Sequence, residues 1–321
     1  MKFIIKQQII QGLATFIGVI LLVFFLFNWV GGDPALVLAG KLASAQDIQN
    51  IRHQLGTDLP IWEQLLLFFK QVVTGDFGLS WSTREPVSHI FLTRLGPSLT
   101  LLIPMMVLET VIAVSLALWS SAQNKEKTDY LLILLSTLMM SVSLLVYIIV
   151  GQWLFAAYLG WFPVKGWGDG LWVNLRYFAP LPVFLGLLVS ISPSLRLYRS
   201  FIRDVVQQDY VRTVRSHGFS ERFILMKVVL GNAMIPIITN VLMGLPSLLV
   251  GAFLIERFFA IPGIGRELIM AVERSDFPVI KAMTVYVALA TLLANFMAEC
   301  LYYYLDPRIS KYSDQKEERN G

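Results

Sequence analysis

The sequence predicts an all-α polytopic membrane protein with six transmembrane helices and both termini in the cytosol. Three observations predict it: the composition, six long apolar segments, and the distribution of basic residues. The 321-residue chain is 56% hydrophobic and 15% charged, with a mean hydropathy of +0.64. A soluble domain carries about 25% charged residues. Most of the surface must therefore face lipid, which makes the bilayer itself a partner of this chain.

Six segments are long and apolar enough to cross a hydrocarbon core, which takes about 20 helical residues. Every backbone polar group must be satisfied inside the bilayer, so these segments are expected to be helices. The predicted spans are residues 9–30, 97–120, 131–159, 177–196, 235–256 and 280–304.

The basic residues predict the orientation. With both termini inside, the cytosolic loops and ends hold 15 of the 26 Lys and Arg residues against nine acids, whereas the 11 outside are matched by as many acids. Basic loops stay on the cytosolic side of a membrane. The net charge of +4 is therefore a topology signal, and no nucleic-acid partner is expected.

The N-terminus and the single cysteine further narrow the class of membrane protein. Residues 1–30 could be a signal peptide, because Lys2 and Lys6 precede an apolar run. That run is too long for a signal h-region and no small-residue cleavage site follows it, so we expect a retained span. Cys300 has no second cysteine to pair with, which excludes a disulfide framework within the chain.

The segment between the first two spans is predicted to form short external helices. One begins at a Ser44 cap and ends at Gly56. A second lies between Pro60 and Gly75 and is apolar enough to lie in the membrane interface or pack on the membrane domain. A turn at Gly96-Pro97 is expected to lead into the second span.

An arginine-rich hairpin interrupts the apolar pattern between the fourth and fifth spans. Residues 201–217 can form a helix, Gly218 supplies a positive-φ turn, and Ser220 can cap a helix over 221–230. Residues 196–227 hold seven basic side chains against three acids: Arg196, Arg199, Arg203, Arg212, Arg215, Arg222 and Lys227 against Asp204, Asp209 and Glu221. Either this is a solvated hairpin with nothing bound, or it is a surface for a soluble partner, which we favour.

Glu109 lies midway along the second predicted span. A carboxylate there costs several kcal/mol unless it is paired or wetted. It is a candidate for the translocation path, and a helix-to-helix hydrogen bond is the equal alternative.

Signals for enzymatic chemistry are absent from the sequence. There is no phosphate-binding GxxxxGK[ST] loop, no HExxH or GxSxG motif, and no Cys/His cluster. His53, His89 and His217 are scattered and are expected to be surface residues. The sequence predicts a chain that is not an enzyme and holds neither a metal nor a cofactor.

Several motifs carry a resemblance to a known family. The run Asp209–Arg222 (DYVRTVRSHGFSER) resembles the "EAA" loop of ABC importer membrane subunits, although Arg212, Thr213 and Val214 stand where Glu-Ala-Ala is usual. It is closest to the oligopeptide/dipeptide permease family of the "B" type, which includes nickel permeases. Further blocks in the same order resemble this family: 31–34, 75–78, 232–239, 256–266, 276–279 and 305–308.

The resemblance implies a type I ABC importer permease fold in the bacterial cytoplasmic membrane. Residues 1–93 would form the first transmembrane helix and the external segment. Residues 94–310 would form the permease domain, with a cytosolic coupling loop at 197–234, and 311–321 would be a cytosolic tail. The family also implies partners: a second homologous permease subunit, two cytosolic ABC ATPase subunits that bind the ATP, and an extracytoplasmic substrate-binding protein.

The resemblance also assigns roles to residues. A short coupling helix at about Arg215–Arg222 would pass closure of the ATPases to the membrane. The ATPase-coupling residues would be Arg212, Arg215, Ser216, His217, Gly218, Phe219, Ser220, Glu221 and Arg222. The external-loop motif would comprise Glu256, Pro262, Gly263 and Gly265.

Other functions stay open at this point. The implied cargo is di- or oligopeptides, with nickel chelates and antimicrobial peptides as alternatives. An ion-coupled secondary transporter usually has several buried charges and inverted repeats, of which only Glu109 fits. An intramembrane hydrolase would need a facing nucleophile and base, and no such pair is evident.

Overall fold

A computed structural model describes residues 2–29, 34–39, 43–123 and 126–305, and most of them are helical. The predicted landmark at Gly31–Asp33, that at Asp306–Arg308, and the tail 311–321 lie outside the described residues. The helices are α1 (Lys2–Trp29), α2 (Pro34–Ala39), α3 (Ala45–Leu55), α4 (Ile61–Thr74), α5 (Val87–Gln123), α6 (Glu126–Ser141), α7 (Leu144–Gly151), α8 (Leu171–Val173), α9 (Pro180–Val206), α10 (Asp209–Ser216), α11 (Glu221–Phe223), α12 (Leu230–Gly251), α13 (Phe253–Phe258), α14 (Ile264–Glu273) and α15 (Phe277–Leu305).

Three segments are π-helical, with i→i+5 hydrogen bonds. They follow α7, α8 and α11 directly: Gln152–Tyr158, Asn174–Phe178 and Ile224–Val229. Since each joins a helix without a break, α11 and α12 belong to one helical run.

Among the described residues, five helices are long and apolar enough to span a bilayer, and a bent pair makes a sixth if it counts as one span. This agrees with the predicted all-α architecture. The span predicted over 131–159 is bent, because Tyr130–Ser141 and Leu144–Tyr158 meet at an angle of 83°. The Ser143 hydroxyl accepts a hydrogen bond from the backbone N–H of Leu145 and so starts a new helix at that point.

Two predicted boundaries are wrong. Helix α5 runs unbroken from Val87 through Gly96-Pro97, where a turn was expected. A proline removes only one helical hydrogen bond, and Gly96 presents no Cβ to the proline ring. The fifth span begins earlier than residue 235, since the helix capped by Ser220 continues into it without interruption.

The helices predicted between the first two spans are present, with the predicted ends. Ser44 accepts a hydrogen bond from the Asp47 N–H, and the Asp47 side chain accepts one from Ser44 in return, which forms a capping box. Gly56 ends α3 with φ +66°, and Gly75 ends α4 with φ +69°. Both glycines adopt the left-handed conformation that other residues avoid.

The chain folds into two compact units. The first comprises the chain up to Ser98 together with Leu249–Phe253 and Pro262–Phe296. In its core, α4 packs Phe68 and Val72 against Ile20 and Phe24 of α1. The opposite face of α4 is apolar and exposed, with Trp62 72% accessible. Of the two predicted environments for α4, packing on an apolar span is therefore observed.

The second unit comprises Leu99–Leu248, Leu254–Ile261 and the chain from Met297. Its core joins α5, α9, the hairpin and the start of α12. The buried members are Ala113, Ala117, Leu195, Tyr198, Ile202, Val211, Ile224, Leu225, Val229, Ala233 and Ile237. The arginine-rich hairpin is thus built onto the spans themselves.

Candidate functional site

The hairpin between the fourth and fifth spans consists of α10 and α11. Helix α9 extends to Val206, about ten residues past the predicted end of its span. The expected single helix over 201–217 is wrong, because the chain breaks at Gln207–Gln208. Gln208 is extended (φ −69°, ψ 147°), and its carbonyl accepts a hydrogen bond from the N–H of Val211 as α10 begins.

The turn of the hairpin follows the predicted chemistry. Gly218 has φ +81°, and its N–H donates to the carbonyl of Arg215. The Ser220 hydroxyl then accepts from the N–H of Phe223 and caps α11. The expected coupling helix over 215–222 is wrong: these residues are the end of α10, the turn, and the start of α11. Gly218 forces this outcome, because its left-handed conformation ends a helix.

One ion pair closes the turn. The Nε of Arg215 lies 2.6 Å from Oε1 of Glu221, and its Nη2 lies 3.2 Å from Oε2. This bidentate geometry fixes the angle at which α10 meets α11. Arg212 approaches Asp209 only at 3.6 Å, with both side chains largely exposed, and such a surface pair contributes little.

Apolar contacts attach the hairpin to the spans. Val211 of α10 and Ile224, which follows α11, are fully buried. Both pack in one cluster with Ile202 of α9 and Ala113 of α5. Because interiors are close-packed, a displacement of the hairpin must be accompanied by movement of these helices.

The outer surface of the hairpin carries exposed aromatic residues. The rings of Phe219 and Phe223 stack with centroids 5.0 Å apart, and they are 51% and 42% exposed. Tyr210 on α10 is 43% exposed. Exposed aromatic side chains of this kind are typical anchors of protein interfaces. The sequence reasoning named Phe219 but missed Tyr210 and Phe223; the four-residue spacing of the two phenylalanines was the available signal.

The remaining predicted coupling residues divide into two groups. Ser216 and His217 turn back onto α10, where the Ser216 hydroxyl and the His217 ring both contact the carbonyl of Thr213, at 2.7 Å each. Arg212 and Arg222 are exposed. The structure therefore brings all nine predicted residues to one hairpin, with Arg215, Gly218, Ser220 and Glu221 shaping it.

A second polar group lies within the spans. The Ser194 hydroxyl of α9 donates a hydrogen bond to Glu109 of α5. Ser190, Ser194 and Tyr198 follow each other at four-residue intervals and so share one face of α9. The Tyr198 hydroxyl, 3.4 Å from Oδ1 of Asn240 on α12, extends this polar group to a third helix. We call these five residues the polar cluster.

The external-loop motif divides between the two units. In the second unit, Glu256 is fully buried, and its carbonyl accepts a hydrogen bond from the N–H of Ile261 at 2.8 Å. In the first unit, Pro262 and Gly263 directly precede α14, and a Cβ on Gly265 would lie 2.8 Å from the Cα of Phe253. Gly265 is therefore a packing residue that permits two backbones to approach closely.

A carboxylate from the block 276–279, to which the sequence analysis assigned no role, also supports the first unit. Asp276 is 1% exposed and accepts hydrogen bonds from the hydroxyls of Ser80 and Ser82 and from the backbone N–H groups of Trp81 and Ser82, at 2.5–3.1 Å. Burial raises the pKa of Asp276, but these bonds outweigh it and hold the pKa below the ordinary 3.8. Sequence separations above 190 residues leave no local signal for such contacts.

No group of three His, Cys, Asp or Glu side chains suited to a metal ion occurs among the residues that the structure describes. Among the described residues, the candidate sites are the hairpin and the polar cluster.

Comparisons with known proteins place this architecture in a family. Residues 110–311 match the family of inner membrane components of binding-protein-dependent transport systems. Residues 1–102 match the N-terminal family of membrane components of the same systems.

Relatives match almost end to end. The chain is 30% identical to the dipeptide transport system permease protein DppB of Alkalihalophilus pseudofirmus, covering 94% of this chain and 98% of the relative. It is 33% identical to the glutathione transport system permease protein GsiC of Escherichia coli, covering 96% and 99%. The corresponding values for GsiC of Salmonella paratyphi A are 33%, 95% and 98%. With apolar helices suited to a bilayer and a family match over most of its length, the chain belongs to the inner membrane components of binding-protein-dependent transport systems, the permease subunits of ABC importers.

Proposed function

We propose that this permease subunit imports short peptides and that separate ATPase subunits drive it through the α10–α11 hairpin. Its relatives are named for dipeptide and glutathione transport, and glutathione is itself a short peptide. The observation that carries the proposal is the hairpin: a turn with two exposed phenylalanines, closed by the Arg215–Glu221 ion pair and attached to the spans by buried Val211.

The hairpin faces the cytosol in this proposal. The basic side chains of α9–α11 support it, because positively charged loops remain inside. A cytosolic ATPase would bind the aromatic surface of Phe219 and Phe223. ATP binding would then shift the permease between its inward- and outward-facing states by the difference in contact free energy that the two ATPase states make with the hairpin.

The complete assembly would contain permease, ATPase and binding-protein subunits. Two permease subunits, this chain and a homologue, would enclose the passage, and two ATPase subunits would bind and hydrolyse ATP. An extracytoplasmic binding protein would deliver the cargo. The permease itself would hold no cofactor.

Reconstitution tests the proposal. The chain is co-expressed with candidate permease, ATPase and binding-protein subunits from the same organism, and the complex is placed in proteoliposomes. We expect ATP-dependent uptake of labelled dipeptides or glutathione, and loss of the ATPase on purification when residues 215–222 are deleted. Uptake driven by an ion gradient without ATP would overturn the proposal, and uptake restricted to nickel chelates would overturn its peptide part.

A further inference from the structure

The polar cluster contains an acid without a basic partner. Glu109 is half-buried in the middle of α5, and Ser194 donates a hydrogen bond to it. Within the described part of the chain, no Lys, Arg or His side chain forms an ion pair with Glu109. A hydroxyl supplies a hydrogen bond but no positive charge. A carboxylate at this depth costs several kcal/mol until a cation neutralises it.

The surroundings of Glu109 offer further hydrogen-bond acceptors. The Ser190 hydroxyl, one turn of α9 away from Ser194, has its oxygen buried near the Glu109 carboxyl and forms no hydrogen bond of regular geometry within the described residues. Tyr198 lies beside Glu109, and its hydroxyl is 3.4 Å from the amide oxygen of Asn240. A primary ammonium group has three N–H donors and no acceptor. One carboxylate with neighbouring hydroxyl and amide oxygens matches a single positive charge of that kind.

We propose that Glu109 binds the protonated amino group of the cargo during its passage, with the oxygens of Ser190 and Asn240 as additional acceptors. This inference rests on the proposed function, because a short peptide with a free N-terminus carries an α-ammonium group. The alternative role, a structural hydrogen bond between α5 and α9, needs no charge on residue 109. Glu109→Gln separates the two roles, since glutamine keeps the size and the acceptor oxygen and removes the charge.

The first experiment measures uptake by the reconstituted complex. A free-amine dipeptide and its N-acetylated form are each compared across variants, so that the preference of the binding protein cancels. Hydrogen bonds to charged groups contribute about 1.5–3 kcal/mol. We therefore expect Glu109→Gln to reduce free-amine uptake about tenfold or more, since tenfold corresponds to about 1.4 kcal/mol, and to leave the N-acetyl peptide unchanged. The inference would be overturned if Glu109→Gln reduced the uptake of both peptides equally, or if it reduced the uptake of neither.

A matched control is available in the same unit. Glu299 is also a carboxylate on a spanning helix, but it is exposed near the end of α15. Glu299→Gln should transport both peptides as the wild type does.

The second experiment tests access to the cluster. With Cys300→Ser as the background, Ser190→Cys introduces a single thiol, which is probed with a water-soluble maleimide with and without ATP. We expect labelling in at least one state, slower labelling when the free-amine dipeptide is delivered, and loss of that protection with Glu109→Gln. No labelling in any state, or protection that persists with Glu109→Gln, would overturn the inference.

The two proposals fail in different ways. A wild-type complex that takes up no peptide with ATP contradicts the proposed function. If the wild-type complex takes up the free-amine peptide with ATP and the Glu109→Gln complex takes it up equally well, only the role of Glu109 is contradicted.

Discussion

At the scale of single residues, Gly218 is required for its backbone conformation. Its φ of +81° strains any residue with a side chain, whereas the space around it is open, so a larger residue bends the turn without displacing the core. Gly218→Val should cost about 1–2 kcal/mol locally, remain in the membrane, and lose ATP-dependent uptake. Quantitative blotting measures the amount of the variant in the membrane, and a vesicle assay measures its ATP-dependent uptake. Gly78→Val, with φ +78° and equally open surroundings, should retain the ATPase on purification. Normal uptake by Gly218→Val would contradict the coupling role.

Gly265 is required because the backbone of Phe253 approaches it too closely for a side chain. A methyl group there would meet the backbone of Phe253, which cannot rotate away as a side chain would. We expect Gly265→Ala to destabilise the protein by about 1–3 kcal/mol, the usual cost of overpacking, and to lower Tm in detergent. Gly231→Ala, at a helical position with nothing within 4 Å, should keep or raise Tm. An unchanged Tm for Gly265→Ala would show that the two backbones can separate without cost.

At the scale of elements, the link between α4 and α5 depends on one carboxylate from the start of α15. Asp276→Asn keeps the shape but replaces one acceptor oxygen with an N–H₂ group, and a buried donor without its acceptor costs about 1–3 kcal/mol. We expect faster tryptic cleavage after exposed Arg84, four residues from Ser80. Asp58→Asn, an exposed carboxylate in the α3–α4 loop, should leave that rate unchanged. Equal cleavage rates for both variants would show that Asp276 does not hold this link.

The same carboxylate predicts a pH dependence. The native pKa of Asp276 is below its ordinary value of 3.8, so ionised Asp276 stabilises the folded state above the ordinary value, and this contribution is lost as the pH falls through the native pKa. Cleavage within residues 79–84 by an acid-active protease, at Leu79 or Trp81, should rise below about pH 4 in the wild type. Asp276→Asn should remove this dependence, because its amide does not titrate.

Local chemistry decided which elements could be predicted. Ser44, Gly56, Gly218 and Ser220 act through hydrogen bonds within a few residues, so the sequence alone located them. The break at Gln207–Gln208 depends on how α10 packs Val211 against α5 and α9, contacts that span many residues. The bend at Ser143 was missed although its cap is local, because a serine in an apolar run can equally sit in the middle of a helix.

At the scale of the whole molecule, the sidedness of the hairpin is the decisive prediction. With Cys300→Ser as the background, His217→Cys places a thiol at an exposed position beside the turn. A membrane-impermeant maleimide should label it in inside-out vesicles and leave it unlabelled in right-side-out vesicles. Trp172→Cys, between the predicted third and fourth spans on the side opposite the hairpin and 82% exposed, should behave in the opposite way. Labelling of His217→Cys from outside would contradict both the orientation and the binding of a cytosolic ATPase.

The candidate site was only partly accessible to sequence reasoning. Glu109 stood out because a charge within an apolar span is rare, and the hairpin stood out by its arginines. Ser194 and Asn240 carried no such signal, since serine and asparagine recur along these spans and only the folded contacts select them. The roles of Gly265 and Asp276 likewise depend on distant partners.

The unbroken helix from Glu221 to Gly244 has a mechanical consequence. At 1.5 Å per residue its 24 residues form a rod of about 36 Å, with the Ser220 cap at one end and Asn240 near the other. A displacement or rotation of the helix at the cap is therefore transmitted to Asn240 without an intervening loop. The π-helical segment Ile224–Val229 lies between the cap and Asn240, so its conversion to α-helix would change the rotation of Asn240 around the helix axis relative to the cap.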